Sequence, residues 1–133
     1  MAQNKQKQTI LFMDDEELVQ IIAKRVITGL GFDVEIVKNG EEAIAKYQEA
    51  LANNAPYALA ILDLYVNNGM GGVETIKKLL SLNPQITAIV SSGDDYSPIM
   101  RNFSQYGFKG ALPKPLVLEE LSSLLKKFLG PLP

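Results

Sequence analysis

Residues 57–65 read Tyr-Ala-Leu-Ala-Ile-Leu-Asp-Leu-Tyr. The first six form an almost wholly apolar run, and the carboxylate of Asp63 follows directly. A run of this length is typical of a strand that is buried on both faces of a parallel sheet. Residues 67–72, Asn-Asn-Gly-Met-Gly-Gly, cannot continue a strand and are interpreted as a loop. Open α/β sheets bind ligands at the carboxyl ends of their strands, so Asp63 is the first candidate for function.

The composition narrows the chemistry that this chain can perform. Its 133 residues are 47% apolar and 21% charged, which is typical of one ordinary globular domain. The net charge of −2 gives no electrostatic reason to expect direct nucleic-acid binding. The absence of cysteine and histidine excludes disulfides, thiolate nucleophiles, imidazole metal ligands and Ser-His catalysis. Any chemistry must therefore use carboxylates, hydroxyls, lysine or a hard, oxygen-binding cation.

The sequence also predicts where the chain resides and how it divides. No apolar run approaches the length of a membrane span, and residues 1–8 are polar where a signal peptide would be apolar. We expect a cytoplasmic protein without membrane insertion. We expect a polar tail at residues 1–8, one domain at 9–130 and a C-terminal end at 131–133.

Strands and amphipathic helices alternate five times along the chain. Asn39 and Ser97 each precede a helical pattern and are predicted N-caps, with the helix after Ser97 continuing to Gly107. The alternation predicts an α/β fold, a doubly wound five-stranded parallel sheet with five helices on its two faces. Strands are predicted near residues 9–13, 32–37, 57–62, 86–90 and 108–112. In the first helix, the apolar residues at helical spacing are Leu18, Ile22, Val26 and Leu30.

Polar side chains gather at the carboxyl ends of these strands, which share one edge of a parallel sheet. Clustered carboxylates repel one another and are tolerated together when a cation such as Mg²⁺ neutralises them. A lysine and a hydroxyl beside them suit a phosphoryl group. Each group alone has a simpler interpretation as a helix cap, a turn hydroxyl or a surface charge, and only their joint placement favours a site. The strand-end residues are Asp14, Asp15, Asp63, Ser91, Ser92 and Lys114.

Over residues 9–129 the chain resembles the receiver domain of two-component response regulators, most closely the receivers of hybrid sensor histidine kinases. The resemblance implies a flavodoxin-like (βα)5 three-layer sandwich, with residues 9–130 as the receiver domain. It implies a phosphoacceptor module of a phosphorelay, which signals and is not an enzyme. The motifs that carry the resemblance are Asp14-Asp15, Asp63-Leu64, Gly69-Met70-Gly71-Gly72, Ser92-Gly93 and Lys114-Pro115.

The resemblance also implies a role for each site residue. Asp63 would accept a phosphoryl group from phosphohistidine on a histidine kinase or a histidine phosphotransfer protein. Asp15, Asp63 and the backbone carbonyl of Tyr65 would bind Mg²⁺, and Asp14 would act directly or through water. Lys114 would contact the phosphoryl group and pair with Asp63 in its absence. The peptide bond that follows Lys114 is expected to be cis.

Ser91 and Ser92 compete for the role of the switch hydroxyl. Spacing from Lys114 and the small Gly93 that follows favour Ser92. In the family this hydroxyl turns toward the phosphoryl group, and the fourth helix, last strand and fifth helix pass the change to an output protein or domain.

The sequence departs from the family at several positions. Ala111 stands where an aromatic side chain often lies, and Asn67 replaces a common proline in a longer loop after Asp63. Tyr65 and Asp94 occupy positions that tune the lifetime of the acyl phosphate. No output domain follows Pro133, which suggests a single-domain regulator or a fragment of a larger protein.

Three other functions fit the sequence less well. An aspartyl-phosphate phosphatase would need an acid where Tyr65 stands. A flavin-binding protein would need a glycine- and hydroxyl-rich loop where Asp14 and Asp15 stand. A pseudo-receiver that only binds partners is disfavoured by the complete set of acceptor, metal and lysine residues.

Overall fold

The computed structural model describes residues 7–94 and 96–133. Most of the predicted N-terminal tail, residues 1–6, lies outside the described residues. The strands are β1 (Thr9–Met13), β2 (Asp33–Val37), β3 (Leu59–Asp63), β4 (Ala88–Ser92) and β5 (Gly110–Pro113). The helices are α1 (Glu17–Gly29), α2 (Gly40–Ala52), α3 (Gly72–Leu82), α4 (Pro98–Arg101) and α5 (Leu118–Leu129), with a 3₁₀ helix at Phe103–Tyr106.

The five strands form one parallel sheet in the order β2-β1-β3-β4-β5, which confirms the predicted fold class. The chain moves outward from β1 to β2 and then returns across β1 to β3. This reversal of strand order opens a crevice above the carboxyl ends of β1 and β3, where doubly wound sheets bind ligands. The sequence-predicted acids Asp14 and Asp63 stand at those two strand ends.

Alternate residues of each strand pack into two apolar cores, one on each face of the sheet. Leu62 of β3 packs with α2 and α3, whereas Ile61 packs with α1 and α5. Asp63 therefore projects toward the α1 and α5 face. Its partner in register on β4 is Ser91, so these two side chains project from the same face and Ser92 from the other.

The fourth helix is shorter than the sequence predicted. Ser97 caps it as expected, since its Oγ accepts a hydrogen bond from the N–H of Ile99 at 3.2 Å. However, the helix ends at Arg101 instead of continuing to Gly107. The side-chain amide of Asn102 donates to the Pro98 carbonyl at 3.0 Å, and the Asn102 backbone (φ −119°, ψ 40°) has left the helical region. The backbone N–H of Asn102 still donates to the same carbonyl at 2.9 Å, and the chain continues as the 3₁₀ helix.

The predicted first helix is present as α1. Ala23 and Ile27 are buried against the sheet, whereas Leu18 is 69% exposed and Ile22 is 39% exposed. The apolar spacing therefore identified the helix, but two of the side chains in the pattern lie on its surface. Among the described residues, no helix has both the length and the apolar character that crossing a membrane requires.

Candidate functional site

The strand ends bring the acidic residues predicted from the sequence into one cluster. Asp14 follows β1 and is fully buried, Asp63 ends β3 and is 4% exposed, and Asp15 is partly exposed beside them. One carboxylate oxygen from each of the three lies within 4.8 Å of the others. An all-oxygen set at this spacing suits a hard divalent cation.

Lys114 extends from the end of β5 into this cluster. Its Nζ lies 2.6 Å from Asp14 Oδ2 and 3.2 Å from Asp63 Oδ1. The predicted pairing with Asp63 is present, but the shorter contact is with Asp14. The Oε1 of Glu16, which was not among the predicted site residues, lies 4.0 Å from Lys114 Nζ. The peptide bond between Lys114 and Pro115 is cis, as expected.

Burial and charge act against each other at this cluster. The pKa of Asp63 is raised to about 6, chiefly by burial and then by the negative charges of Asp14 and Asp15, while Lys114 opposes the shift. Burial lowers the pKa of Lys114, yet its contacts with Asp14 and Asp63 outweigh burial and leave it above the ordinary value. Lys114 therefore stays charged while Asp63 is ionised only against a cost, which a bound cation would reduce.

The two candidate serines lie on opposite faces of β4. Ser92 is buried, and its Oγ accepts a hydrogen bond from the N–H of Asp94 at 3.1 Å. Ser91 is also buried, but its Oγ has no hydrogen-bond partner within the part of the chain that the structure describes. Tyr65, whose carbonyl is the other predicted metal ligand, exposes 64% of its surface beside the crevice.

The loop after Asp63 contributes a contact that the sequence did not predict. The backbone N–H of Asn67 donates to Asp15 Oδ2 at 2.7 Å. The sequence held a weak indication of this contact, because Asn67 replaces a proline that is common in the family and has a backbone N–H that proline lacks. At the other carboxylate, Asp14 Oδ1 accepts the N–H of Glu16 at 2.9 Å.

Residues 10–126 match the response regulator receiver domain family. The chain belongs to this family. Among curated relatives, a transcriptional regulatory protein CpxR homolog of Haemophilus influenzae is 30% identical over 121 residues, which cover 90% of this chain and 49% of the relative. The chain thus spans about half the length of this relative and of similar curated response regulators.

Solved structures of other receivers share the fold. The receiver domain of a sensor histidine kinase from Pseudomonas aeruginosa, with magnesium in its active-site cleft, aligns with a TM-score of 0.80 and 20% identity over 95% of this chain and all of that one. The receiver domain of the response regulator Ssk1 from Saccharomyces cerevisiae was solved with the histidine phosphotransfer protein Ypd1. This co-crystal structure aligns with a TM-score of 0.77 and 19% identity over 92% of this chain and 88% of that one.

Proposed function

We propose that this receiver domain is the phosphoacceptor module of a phosphorelay and that Asp63 is the acceptor. A carboxylate oxygen of Asp63 attacks the phosphorus of a phosphohistidine, a P–O bond forms, and the P–N bond to the donor imidazole breaks. The observation that carries this proposal is the position of Asp63, which ends the central strand with Lys114 Nζ at 3.2 Å and two further carboxylates beside it.

Mg²⁺ is the cofactor that this cluster fits. Asp15, Asp63 and the Tyr65 carbonyl would hold the ion, with Asp14 binding it directly or through water. The three converging carboxylates support this set, as does the magnesium ion in the similar receiver from Pseudomonas aeruginosa. When bound, Mg²⁺ neutralises the carboxylates and stabilises negative charge on the phosphoryl oxygens.

Lys114 and Ser92 would act on the phosphoryl group from the carboxyl ends of β5 and β4. The ammonium of Lys114 already lies beside Asp63 Oδ1, so it can donate to a phosphoryl oxygen without a large movement. Ser92 would turn its hydroxyl toward the same group and give up its 3.1 Å bond to Asp94. The segment after β4 would then move and pass the signal to an output protein or domain.

The proposed donor is a cytoplasmic histidine kinase or histidine phosphotransfer protein, which docks on the start of α1. Leu18, Ile21 and Ile22 expose 69%, 48% and 39% of their surfaces there. Leu18 and Ile22 line a groove whose wall also includes Lys114. An apolar patch at the edge of an acidic site suits a protein that must bring its phosphohistidine to Asp63. The co-crystal of a similar receiver with a histidine phosphotransfer protein supports this class of partner.

The acceptor role is tested by incubating the protein with acetyl phosphate and Mg²⁺ and measuring its intact mass. We expect one added phosphate on the wild type and none on Asp63→Asn. Asp33→Asn, an exposed aspartate at the opposite end of the sheet, is the matched control and should be phosphorylated like the wild type. Equal phosphorylation of Asp63→Asn, or none in the wild type, would contradict the proposal.

The docking role is tested by Leu18→Glu with two phosphodonors. We expect slow transfer from a phosphorylated histidine phosphotransfer protein and an unchanged rate from acetyl phosphate, because the small donor does not need the patch. Equal slowing with both donors would show that the substitution damages the site itself and would count against docking on α1.

A further inference from the structure

We propose that Asn67 is a positioning residue of the magnesium site and that it acts through its backbone N–H. This N–H donates to Asp15 Oδ2 at 2.7 Å, a short bond that joins residues 52 positions apart in the chain. Hydrogen bonds to ionised carboxylates are shorter and stronger than those between neutral groups. This role rests on the proposed magnesium site, because Asp15 is one of its ligands.

The bond matters because Asp15 is the least buried of the three acids. Asp14 and Asp63 are held in place by burial and by Lys114, whereas Asp15 is partly exposed in the turn between β1 and α1. A carboxylate has two oxygens, and fixing one with an N–H leaves the other free to coordinate a cation. Metal-ligating carboxylates are commonly oriented by such outer hydrogen bonds.

The loop that carries Asn67 is braced, so it can serve as a fixed support. The N–H of Met70 donates to Glu41 Oε1 at 2.8 Å, and the Met70 carbonyl accepts the N–H of Gly40 at 2.8 Å. These bonds tie the loop to the start of α2. The same contact with the Met70 N–H lowers the pKa of Glu41, so the brace persists at neutral pH.

The end of the loop returns tightly onto the backbone of β3. The N–H of Gly72 donates to the Leu64 carbonyl at 3.2 Å. A Cβ at Gly71 would lie 2.7 Å from the Leu64 carbonyl oxygen, and one at Gly72 would lie 2.8 Å from that of Asp63. Only glycine fits such a close approach of two backbones. Tyr65 lies in the same braced loop as Asn67. The bond from Asn67 to Asp15 therefore ties one proposed metal ligand, Asp15, to the loop that carries another, the carbonyl of Tyr65.

A proline at position 67 removes the donor and provides a direct test. We expect Asn67→Pro to weaken Mg²⁺ binding about tenfold or more, measured by calorimetric titration without phosphodonor. The matched control is Asn67→Ala, which keeps the N–H and should bind Mg²⁺ within about twofold of the wild type. Phosphorylation of Asn67→Pro by acetyl phosphate should return to the Asn67→Ala rate at saturating Mg²⁺. Equal Mg²⁺ affinities for the two variants would overturn the proposal.

A second measurement uses the intact chain and does not depend on a proline being accommodated. In ¹⁵N-labelled protein without metal, the amide resonance of Asn67 should lie downfield and move upfield in Asp15→Ala but not in Asp33→Ala. If the Asn67 amide resonance does not move in Asp15→Ala, the hydrogen bond from Asn67 to Asp15 is refuted. The calorimetric and NMR readouts do not involve phosphate, so a failure in either is distinguishable from a failure of Asp63 to accept phosphate.

Discussion

The loop after β3 and the segment after β4 follow neighbouring strands, yet they are held in different ways. Side chains of Asp15, Asn39 and Glu41, 29 to 52 residues away in the chain, hydrogen-bond to the backbone of the β3–α3 loop. Between Ser92 and Ile99, the side-chain bonds described span only two residues. They join the backbone N–H of Asp94, Tyr96 and Ile99 to the side chains of Ser92, Asp94 and Ser97, at 3.0 to 3.2 Å.

In the proposed function, the β3–α3 loop is the preorganised acceptor side and the segment after β4 is the adjustable switch side. Movement of the β3–α3 loop would break bonds to three other parts of the fold, including one to a proposed metal ligand. Movement of the segment after β4 would break only local hydrogen bonds, each worth about 1 kcal/mol. This segment is followed by α4, a helix of only four residues. In the proposed function, this difference keeps the phosphorylation chemistry fixed while the proposed output surface rearranges.

Loss of Lys114 should damage the acceptor side most. Lys114→Ala leaves the buried carboxylates of Asp14 and Asp63 without their cation, so we expect the free energy of unfolding at pH 7 to fall by about 3 kcal/mol without metal. Urea unfolding measures this change. Lys109→Ala, which removes an exposed lysine, should change stability by less than about 0.5 kcal/mol. Similar small losses for both variants would mean that the acidic cluster does not need Lys114.

Removing the charge of Asp63 should change the free energy of unfolding by a smaller amount and in the opposite direction. Because its pKa is raised from 3.8 to about 6, Asp63 favours folding below about pH 4, and this contribution is lost as the pH rises through 6. Asp63→Asn should therefore be more stable than the wild type at pH 7.5 with a chelator, by about 1–2 kcal/mol after allowing for solvent screening. The gain should vanish at pH 4 and shrink when Mg²⁺ is added. A variant less stable than the wild type at pH 7.5 would contradict this balance.

The two serines give the smallest effects and test the switch side. Ser92→Ala removes the acceptor for the Asp94 N–H and should cost about 1 kcal/mol in urea unfolding. Ser91→Ala removes a buried hydroxyl that has no partner among the described residues, and it should change stability by less than about 0.5 kcal/mol or increase it. After phosphorylation, the change in amide exchange at residues 93–101 should be lost in Ser92→Ala and kept in Ser91→Ala. The reverse pattern would make Ser91 the switch hydroxyl.

The sequence predicted the fold and the composition of the cluster because both depend on strong local patterns. Apolar runs set the strands, and the parallel arrangement then brings Asp14, Asp63 and Lys114 to one edge of the sheet. The predicted caps at Asn39 and Ser97 are also present, since a cap depends on residues within one turn.

The features that the sequence did not predict depend on tertiary distances or carry no local sequence signal. The bond from Asn67 to Asp15 joins two loops whose approach depends on how the braced backbone folds back over Leu64. The early end of α4 lies at Asn102, where the backbone leaves the helical region at ψ 40°, and no glycine or proline marks that position in the sequence. The apolar periodicity of α1 includes Leu18, but periodicity does not distinguish an apolar side chain in the core from one on the surface, where Leu18 lies.

Asp63, and neither of the other two carboxylates of the cluster, is the proposed acceptor of the phosphoryl group. Borohydride reduces an acyl phosphate on aspartate to the alcohol, homoserine, and peptide mass spectrometry then locates the modified residue. After treatment with acetyl phosphate and Mg²⁺, we predict homoserine at position 63 and unmodified aspartate at positions 14 and 15. Homoserine at either of those two positions, with Asp63 intact, would contradict the account.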